Sequence, residues 1–316
     1  MSVRAPAAAV AVCCAVAVCC AVAVAVAGCG LGAGRGTSDV TLTVTRGFGS
    51  AQLGSVTERR VPGSETVMRM LERSFRVSTR YGGGFVESID GQSGSSSRRD
   101  WFYYVNGVQA PAGGASTAVH RGDQIWWDLH DWSVTDTVPA VVGSFPEPFV
   151  HGSGGRRLPT ALECAGDVGA ACKQVSNQLA GIGVPIATQL LGTGSGTDSL
   201  TVVVGTWRDV RGALLAALIE HGPSASGVYA RFSGPGGDRL ALLDPHGHVV
   251  RTLGAGAGLI AATASPSSEP TWVITGTDSA GVSAAAAAMT PAHLHDHFAL
   301  AVQGATEIPV PALAES

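Results

Sequence analysis

The sequence predicts an α+β fold in two parts: a β-grasp-like sheet domain over residues 39–135 and a second α/β domain over 160–305. Three observations lead there. Between Asp39 and Trp132 the patterns run strand, helix, then several strands, an order that places one helix across a mixed sheet. After residue 200 a strand, a Gly-Thr turn and a helix pattern occur twice. Between the two parts, residues 136–159 hold Pro139, Pro146, Pro148 and Pro159, and proline cannot donate to a sheet ladder. That stretch reads as a Pro-rich linker packing in part through Phe145 and Phe149, and residues 306–316 read as a tail.

In DVTLTVTRGFG, Val40, Leu42 and Val44 alternate with threonines, the period of a half-buried strand. Pro62-Gly63-Ser64 precedes ETVMRMLERS. Ser64 is the predicted N-cap, and Glu65 falls in the first turn, where the helix dipole favours an anion. Val67, Met70, Leu71 and Phe75 make one apolar face. RVSTRYGG and FVESIDG read as two short strands around Gly82-Gly83-Gly84. Trp101 to Val105 is a strand, Asn106-Gly107 is a strong turn signal, and Gly122-Asp123 turns the chain into QIWWDLH. There Ile125, Trp127 and Leu129 share one face; Trp126, Asp128 and His130 share the other.

The second part begins its clear pattern at Leu200 to Val204, a buried strand followed by Gly205-Thr206 and a helix with Val210, Leu214, Leu215 and Leu218. WVIT at 272–275 repeats the idea, with Gly276-Thr277 and then Asp278 as the predicted N-cap of GVSAAAAAM. VVVGTWRDVRGALLAAL and WVITGTDSAGVSAAAAA align without gaps across the strand and turn, a weak internal duplication. LALLDPHGHVVRTL reads as a hairpin turning at Pro245-His246-Gly247, and Phe298 to Val302 as the last strand.

Four of the chain's six tryptophans lie between residues 100 and 132, beside Phe102, Tyr103 and Tyr104, in a chain otherwise rich in Ala, Gly and Val. Large rings bury much area per residue, so most of them are core. Alternation nevertheless turns Trp126 away from Trp127, together with Asp128 and His130. It also turns one pair of the preceding strand, Trp101 and Tyr103 or Phe102 and Tyr104, to that side. Trp126, Asp128, His130, Trp101, Tyr103, Tyr104 and Asn106 are therefore the candidate ligand-binding residues, on an outward aromatic sheet face.

The pattern Trp101-x-x-x-Val105-Asn106-Gly107, then Gly114-Ala115, then Gly122-Asp123-x-Ile125-x-Trp127 resembles the transcobalamin C-terminal-like domain, called domain of unknown function 4430 in bacterial sequences. The resemblance runs from about Asp39 to Trp132, under a third of the chain. It implies a β-grasp-like sheet with one helix and an extracytoplasmic setting. In transcobalamin-like proteins this domain closes over a corrinoid held against a helical barrel. The residues themselves call for no cofactor, and with no such barrel in the chain the resemblance adds a corrinoid only as a candidate ligand.

The first residues point the same way. MSVRAPAAAVAVCCAVAVCCAVAVAVAGCG has one charge, Arg4, and then an apolar run to Gly28. Its end, Val26-Ala27-Gly28-Cys29, resembles the bacterial lipobox. That implies a signal peptide over 1–28, lipid on Cys29, a flexible tether over 29–38, and a protein anchored on the extracytoplasmic face of the cell membrane. An uncleaved membrane helix is the alternative, since about 20 apolar residues span a bilayer. Of seven cysteines, only Cys164 and Cys172 then remain free to pair. In an oxidising compartment they predict one disulfide, against the alternative of two free thiols. Two Cys alone do not fill a tetrahedral metal shell.

Net charge −4 and the lack of any basic run exclude a nucleic-acid partner on electrostatic grounds. No G-x-x-x-x-G-K and no G-x-S-x-G motif is present. In AHLHDHF, His293 and His297 would share one face of a helix at zinc-ligand spacing, but the Glu of the protease motif is missing. The sequence therefore predicts a lipid-anchored binding protein whose ligand is a small molecule, an envelope component or a protein. The alternative is an envelope-associated enzyme, metal-dependent at the His cluster, acting through the C-terminal domain.

Overall fold

Val40, Leu42 and Val44 are buried as their alternation predicts, in β1 (Val40–Arg46). In this computed structural model, residues 39–94, 98–192, 198–213, 215–266 and 268–313 are described. The expected signal peptide, Cys29, the tether and Leu214 lie outside the described residues. β2 (Ala51–Glu58) pairs antiparallel with β1. Helix α1 (Val67–Ser74) follows, then β3 (Val77–Arg80), β4 (Phe85–Ile89) and β5 (Gln92–Ser93), which form a small sheet of their own. β6 (Arg99–Val105), β7 (Val108–Gln109) and β8 (Gln124–Asp131) complete the first part. The main sheet has the order β2-β1-β8-β6-β7, with β1 and β8 parallel at its centre and α1 packed across one face. Asn106 and Gly107 both take positive φ, 55° and 75°, in the tight turn between β6 and β7.

The helix starts two residues later than predicted. Thr66, not Ser64, is the N-cap, and its Oγ1 accepts a hydrogen bond from Arg69 N at 3.3 Å. Pro62 to Glu65 is spent on a turn closed by Glu65 N to Pro62 O, and Thr66 bridges Ala118 in extended conformation. Glu65 is thus outside the helix, buried and ion-paired with Arg73.

The second part is built on a seven-stranded sheet. Its elements are β9 (Thr160–Cys164), α2 (Gly169–Gly181), β10 (Ile186–Leu190), β11 (Leu200–Thr206) and the short α3 (Trp207–Val210). A 3-10 turn at Ala216–His221 and α4 (Pro223–Ser226) lead to β12 (Ala230–Ser233), β13 (Arg239–Leu243) and β14 (Val249–Leu253), a separate antiparallel sheet. The chain returns through β15 (Ala257–Thr263), β16 (Thr271–Gly276), α5 (Ser279–Ala288), α6 (Pro291–Leu294), β17 (Ala299–Gln303) and β18 (Thr306–Val310). The sheet order is β10-β9-β11-β16-β15-β17-β18. β11 and β16 lie side by side and parallel, pairing Val202 with Trp272 and Thr206 with Gly276, one residue out of step with the two Gly-Thr turns of the repeat. Asp278 caps α5, its Oδ1 accepting from Gly281 N at 2.9 Å. The helix predicted after β11 stops after one turn, before Gly212, a residue that weakens helix interiors.

Both parts share their cores and fall in one compact unit, Ser38–Ser316. α2 and α5 cover one face of the large sheet, where Phe145 and Phe149 of the Pro-rich segment pack against Trp272. That segment is less a linker than a strap. Val138, Val141 and Val142 are buried, and its backbone bonds to both neighbours, Val141 N to Gly107 O and Val142 N to Phe298 O. The predicted tail is likewise structural through Ala312. Ile308 and Val310 point inward from β18, and Pro309 is tolerated between them because β18 is an edge strand.

Candidate functional site

β8 carries the alternation into two different cores. Ile125, Trp127 and Leu129 pack under α1, as predicted. Trp126, Asp128 and His130 face the other way, but this face is closed: they are 3%, 0% and 2% exposed. Phe48, Tyr104, Trp126, Tyr229 and Phe298 form one aromatic cluster there, so the second part of the chain covers the sheet. The outward recognition face is therefore corrected to an internal seam. The physical reason is area: rings that would stay wet on a lone sheet are desolvated against a second apolar layer.

Asp128 is buried at no cost in unsatisfied bonds. Its Oδ1 accepts from Phe48 N and His130 Nδ1, each at 2.9 Å, and its Oδ2 from Thr45 Oγ1 at 2.5 Å and Gly49 N at 2.9 Å. Trp126 Nε1 donates to Thr45 Oγ1 at 2.7 Å. Gly47, Phe48 and Gly49 all have positive φ, and the carboxylate holds this turn in place. His130 is stacked between Phe48 and Phe102, with centroids 4.5 and 4.4 Å away.

The remaining predicted residues are also internal. Asn106 is fully used: Nδ2 donates to Asp123 Oδ1 (2.9 Å) and Gly152 O (2.8 Å), and Oδ1 accepts from Gln124 N (2.8 Å). It clamps the β6–β7 turn to the strap. Trp101 and Tyr103 lie in the core under α1, Trp101 Nε1 donating to Gln92 O and the Tyr103 hydroxyl meeting Ala112 O and Thr117 Oγ1. Tyr104 lies in the seam, its hydroxyl buried without a partner among the described residues. Burial pushes that hydroxyl's pKa well up, with a smaller contribution from the Asp128 charge.

What the seam leaves open is a cleft of about 290 Å³ at the start of β1 and β8. Thr41 and Thr43 of β1, Ser55 of β2 and Gln124 of β8 supply its floor. Ser144 of the strap and Asp296, after α6, face them across it. Thr43 Oγ1 and Ser55 Oγ lie 3.3 Å apart. Among the described residues no hydrogen bond engages Thr41 Oγ1, Ser144 Oγ or the Gln124 side-chain amide. Asp296 has a positive φ of 59°; burial raises its carboxyl pKa, opposed by His295, whose Nδ1 is 3.2 Å away, and aided slightly by Asp128. Two glycines permit the closure. A Cβ on Gly49 would fall 1.8 Å from Asp296 O, and one on Gly143 would fall 2.8 Å from Trp126 Cζ3 and His297 N.

Sequence reasoning missed this cleft because its walls come from four distant segments. The threonine stripe of DVTLTVT was the one signal: Thr43 is paired with Trp126 and lies on its face of the sheet. His293 and His297, weak metal candidates only if they lay on one helix, do not lie on one. α6 ends at Leu294 and the chain turns at Asp296, so His293 and His297 share no helix face. His293 Nδ1 instead meets Glu307 Oε1 at 2.5 Å, and burial lowers the His297 pKa. Among the described residues no three His, Cys, Asp or Glu side chains are placed to hold a metal ion. Cys164, ending β9, is disulfide-bonded to Cys172 in α2.

Fold and cleft together define an α+β protein in which a β-grasp-like sheet is sealed against an α/β domain, with a small polar cleft in the seam. Residues 64–131 match the family described as Domain of unknown function (DUF4430). The match lies inside the stretch of resemblance read from the sequence and leaves out β1 and β2. Among solved structures, a provisionally assigned metal binding protein from Ruminococcus gnavus ATCC 29149 is similar at 20% identity and TM-score 0.25, over 30% of this chain and 97% of that one. Haptocorrin in complex with Cbi is similar at 18% identity and TM-score 0.24, over 30% of this chain and 26% of that one. No curated protein matches.

A corrinoid does not fit the cleft. Its 290 Å³ falls just below the roughly 300–1,000 Å³ range of sites that hold drug-sized ligands, and a corrinoid is larger than such ligands.

Proposed function

We propose that the protein is a lipid-anchored, extracytoplasmic binding protein that holds a small polar ligand in the seam cleft. The observation that carries this reading is the set of hydroxyl and amide groups on Thr41, Gln124 and Ser144, which converge on the cleft with no internal partner among the described residues. Groups so placed meet water or a ligand, and a few polar groups converging in a concave site fix a ligand's orientation. Asp296 adds an acceptor, or a donor when protonated. A neutral ligand rich in hydroxyl or amide groups matches this lining best.

The anchor rests on the lipobox-like Val26-Ala27-Gly28-Cys29, with the membrane as partner through lipid on Cys29. No described helix is long and apolar enough to cross a membrane. The separation of His293 from His297 gives the metal-dependent enzyme alternative no support.

The test is native mass spectrometry of the protein extracted from its own membrane in mild detergent. A bound small molecule, present in the wild type and lost in Thr43→Trp, is the expected result. Its absence, or its retention in Thr43→Trp, contradicts the proposal.

A further inference from the structure

A second cavity, of about 460 Å³, opens beside the Gly47–Ser50 turn and shares no lining residue with the cleft. Its wall differs in kind from the hydroxyl-lined floor of the cleft. Pro245, Pro309 and Pro311 combine with Phe48, Ile308 and Leu313. Proline has no N–H and a fixed φ, so much of this wall offers no donor and needs no ordering before something binds. Phe48 is held too, since its backbone N donates to Asp128 Oδ1 at 2.9 Å. Leu313 is 71% exposed, apolar surface that an occupant of the cavity would draw out of water.

The charges on the lining are already answered. Arg251 of β14 has a partner within the chain. The one carboxylate, Glu307, meets His293 Nδ1 at 2.5 Å, and both side chains keep contact with water. Burial lowers the pKa of the His297 ring, with the Glu307 charge opposing, so that ring is neutral at pH 7. A charged ligand would therefore leave water for a site with no free counter-charge, and burying a charge is costly unless it is paired. An uncharged ligand meets no such cost and gains the burial of apolar surface. A concave, mostly apolar site with a small number of polar groups is the usual form of a small-molecule site, and this volume falls in the usual range. We infer that this cavity is a second binding site, for an uncharged, largely apolar organic molecule whose ring or chain lies along the proline wall.

Uncharged phenylnaphthylamine, whose fluorescence rises in apolar surroundings, is the probe, titrated against the full chain. Anilinonaphthalene sulfonate, which adds a negative charge to the same ring system, is the comparison. The inference expects saturable enhancement by phenylnaphthylamine at one equivalent. It expects the anion to bind at least about tenfold more weakly, because its charge finds no free partner. Ser50→Trp fills the cavity from an exposed position and should abolish the signal. Thr306→Trp does the same from β18, should the first variant lose its thermal transition. Thr43→Trp, in the cleft, should leave the titration unchanged, which separates this site from the one proposed above. Unsaturable enhancement, undiminished signal in a filled variant that still melts cooperatively, loss of signal in Thr43→Trp, or the anion binding as tightly as phenylnaphthylamine overturns the inference.

Discussion

Asp128 Oδ1 accepts the backbone N–H of Phe48 at 2.9 Å, joining the central strand β8 to a turn whose three residues all lie in the left-handed region. The contact places the Phe48 ring against His130, Tyr229 and Phe298 and so fixes how the two parts of the chain meet. Asp128→Ala should cost about 3–5 kcal/mol, since it strands several buried donors at once. Asp128→Asn, which keeps an acceptor, should cost less. Urea denaturation of the two variants checks both size and order.

Gly49 and Gly82 offer a controlled comparison of backbone strain. Both have positive φ, 80° and 70°. A Cβ at Gly49 collides with Asp296 O, whereas one at Gly82 meets nothing within 4 Å. Gly82→Ala should therefore cost only about 1 kcal/mol, the conformational penalty. Gly49→Ala should cost clearly more and disturb the cleft. Thermal melts of the pair, side by side, decide it; equal losses would mean that the Gly49–Asp296 approach is not a constraint.

Asp123 and Glu147 give a pH signature with a definite sign. Both are buried, and burial is the main reason that their carboxyl pKa values are raised; hydrogen bonds from His120 and His151 oppose it. A raised native pKa means that the folded state holds its proton more tightly than the unfolded chain. The stabilisation is complete below the ordinary carboxylate pKa and is lost as pH rises through the raised values. Glu147→Gln should accordingly lose less stability than wild type on going from pH 5 to pH 7. His297 acts in the opposite sense. Its lowered pKa contributes stability above the ordinary imidazole value that is lost as pH falls through the lowered one. Chemical denaturation at several pH values, on wild type, Glu147→Gln and His297→Phe, separates the two contributions.

The Cys164–Cys172 bond closes a short loop between β9 and α2. Cross-linking a loop of this size contributes about 2–3 kcal/mol, chiefly by restricting the unfolded chain. The double variant Cys164→Ala, Cys172→Ala should show that loss in denaturation while keeping its circular dichroism spectrum.

Much of the fold was legible because it follows local periods. Val40, Leu42 and Val44, the Asn106-Gly107 turn, the Pro245 hairpin and the Asp278 cap all obey rules that act over a few residues. The division of β8 into a Trp127 face and a Trp126 face was legible for the same reason. What covers the Trp126 face was not, because Phe298 and Tyr229 reach it from far along the chain. Pro-rich composition hid the strap: prolines exclude regular pairing but do not prevent Phe145 and Phe149 from packing. The cleft needed tertiary structure altogether, since Thr43, Ser144 and Asp296 have no sequence relationship to one another.

The most direct measurement is a crystal structure of the protein isolated from its own membrane. The account predicts density for a small polar molecule in the seam, in hydrogen-bonding contact with Thr41, Ser144 or Gln124. A seam holding only ordered water, or a ligand bound away from it with those oxygens untouched, would contradict the account.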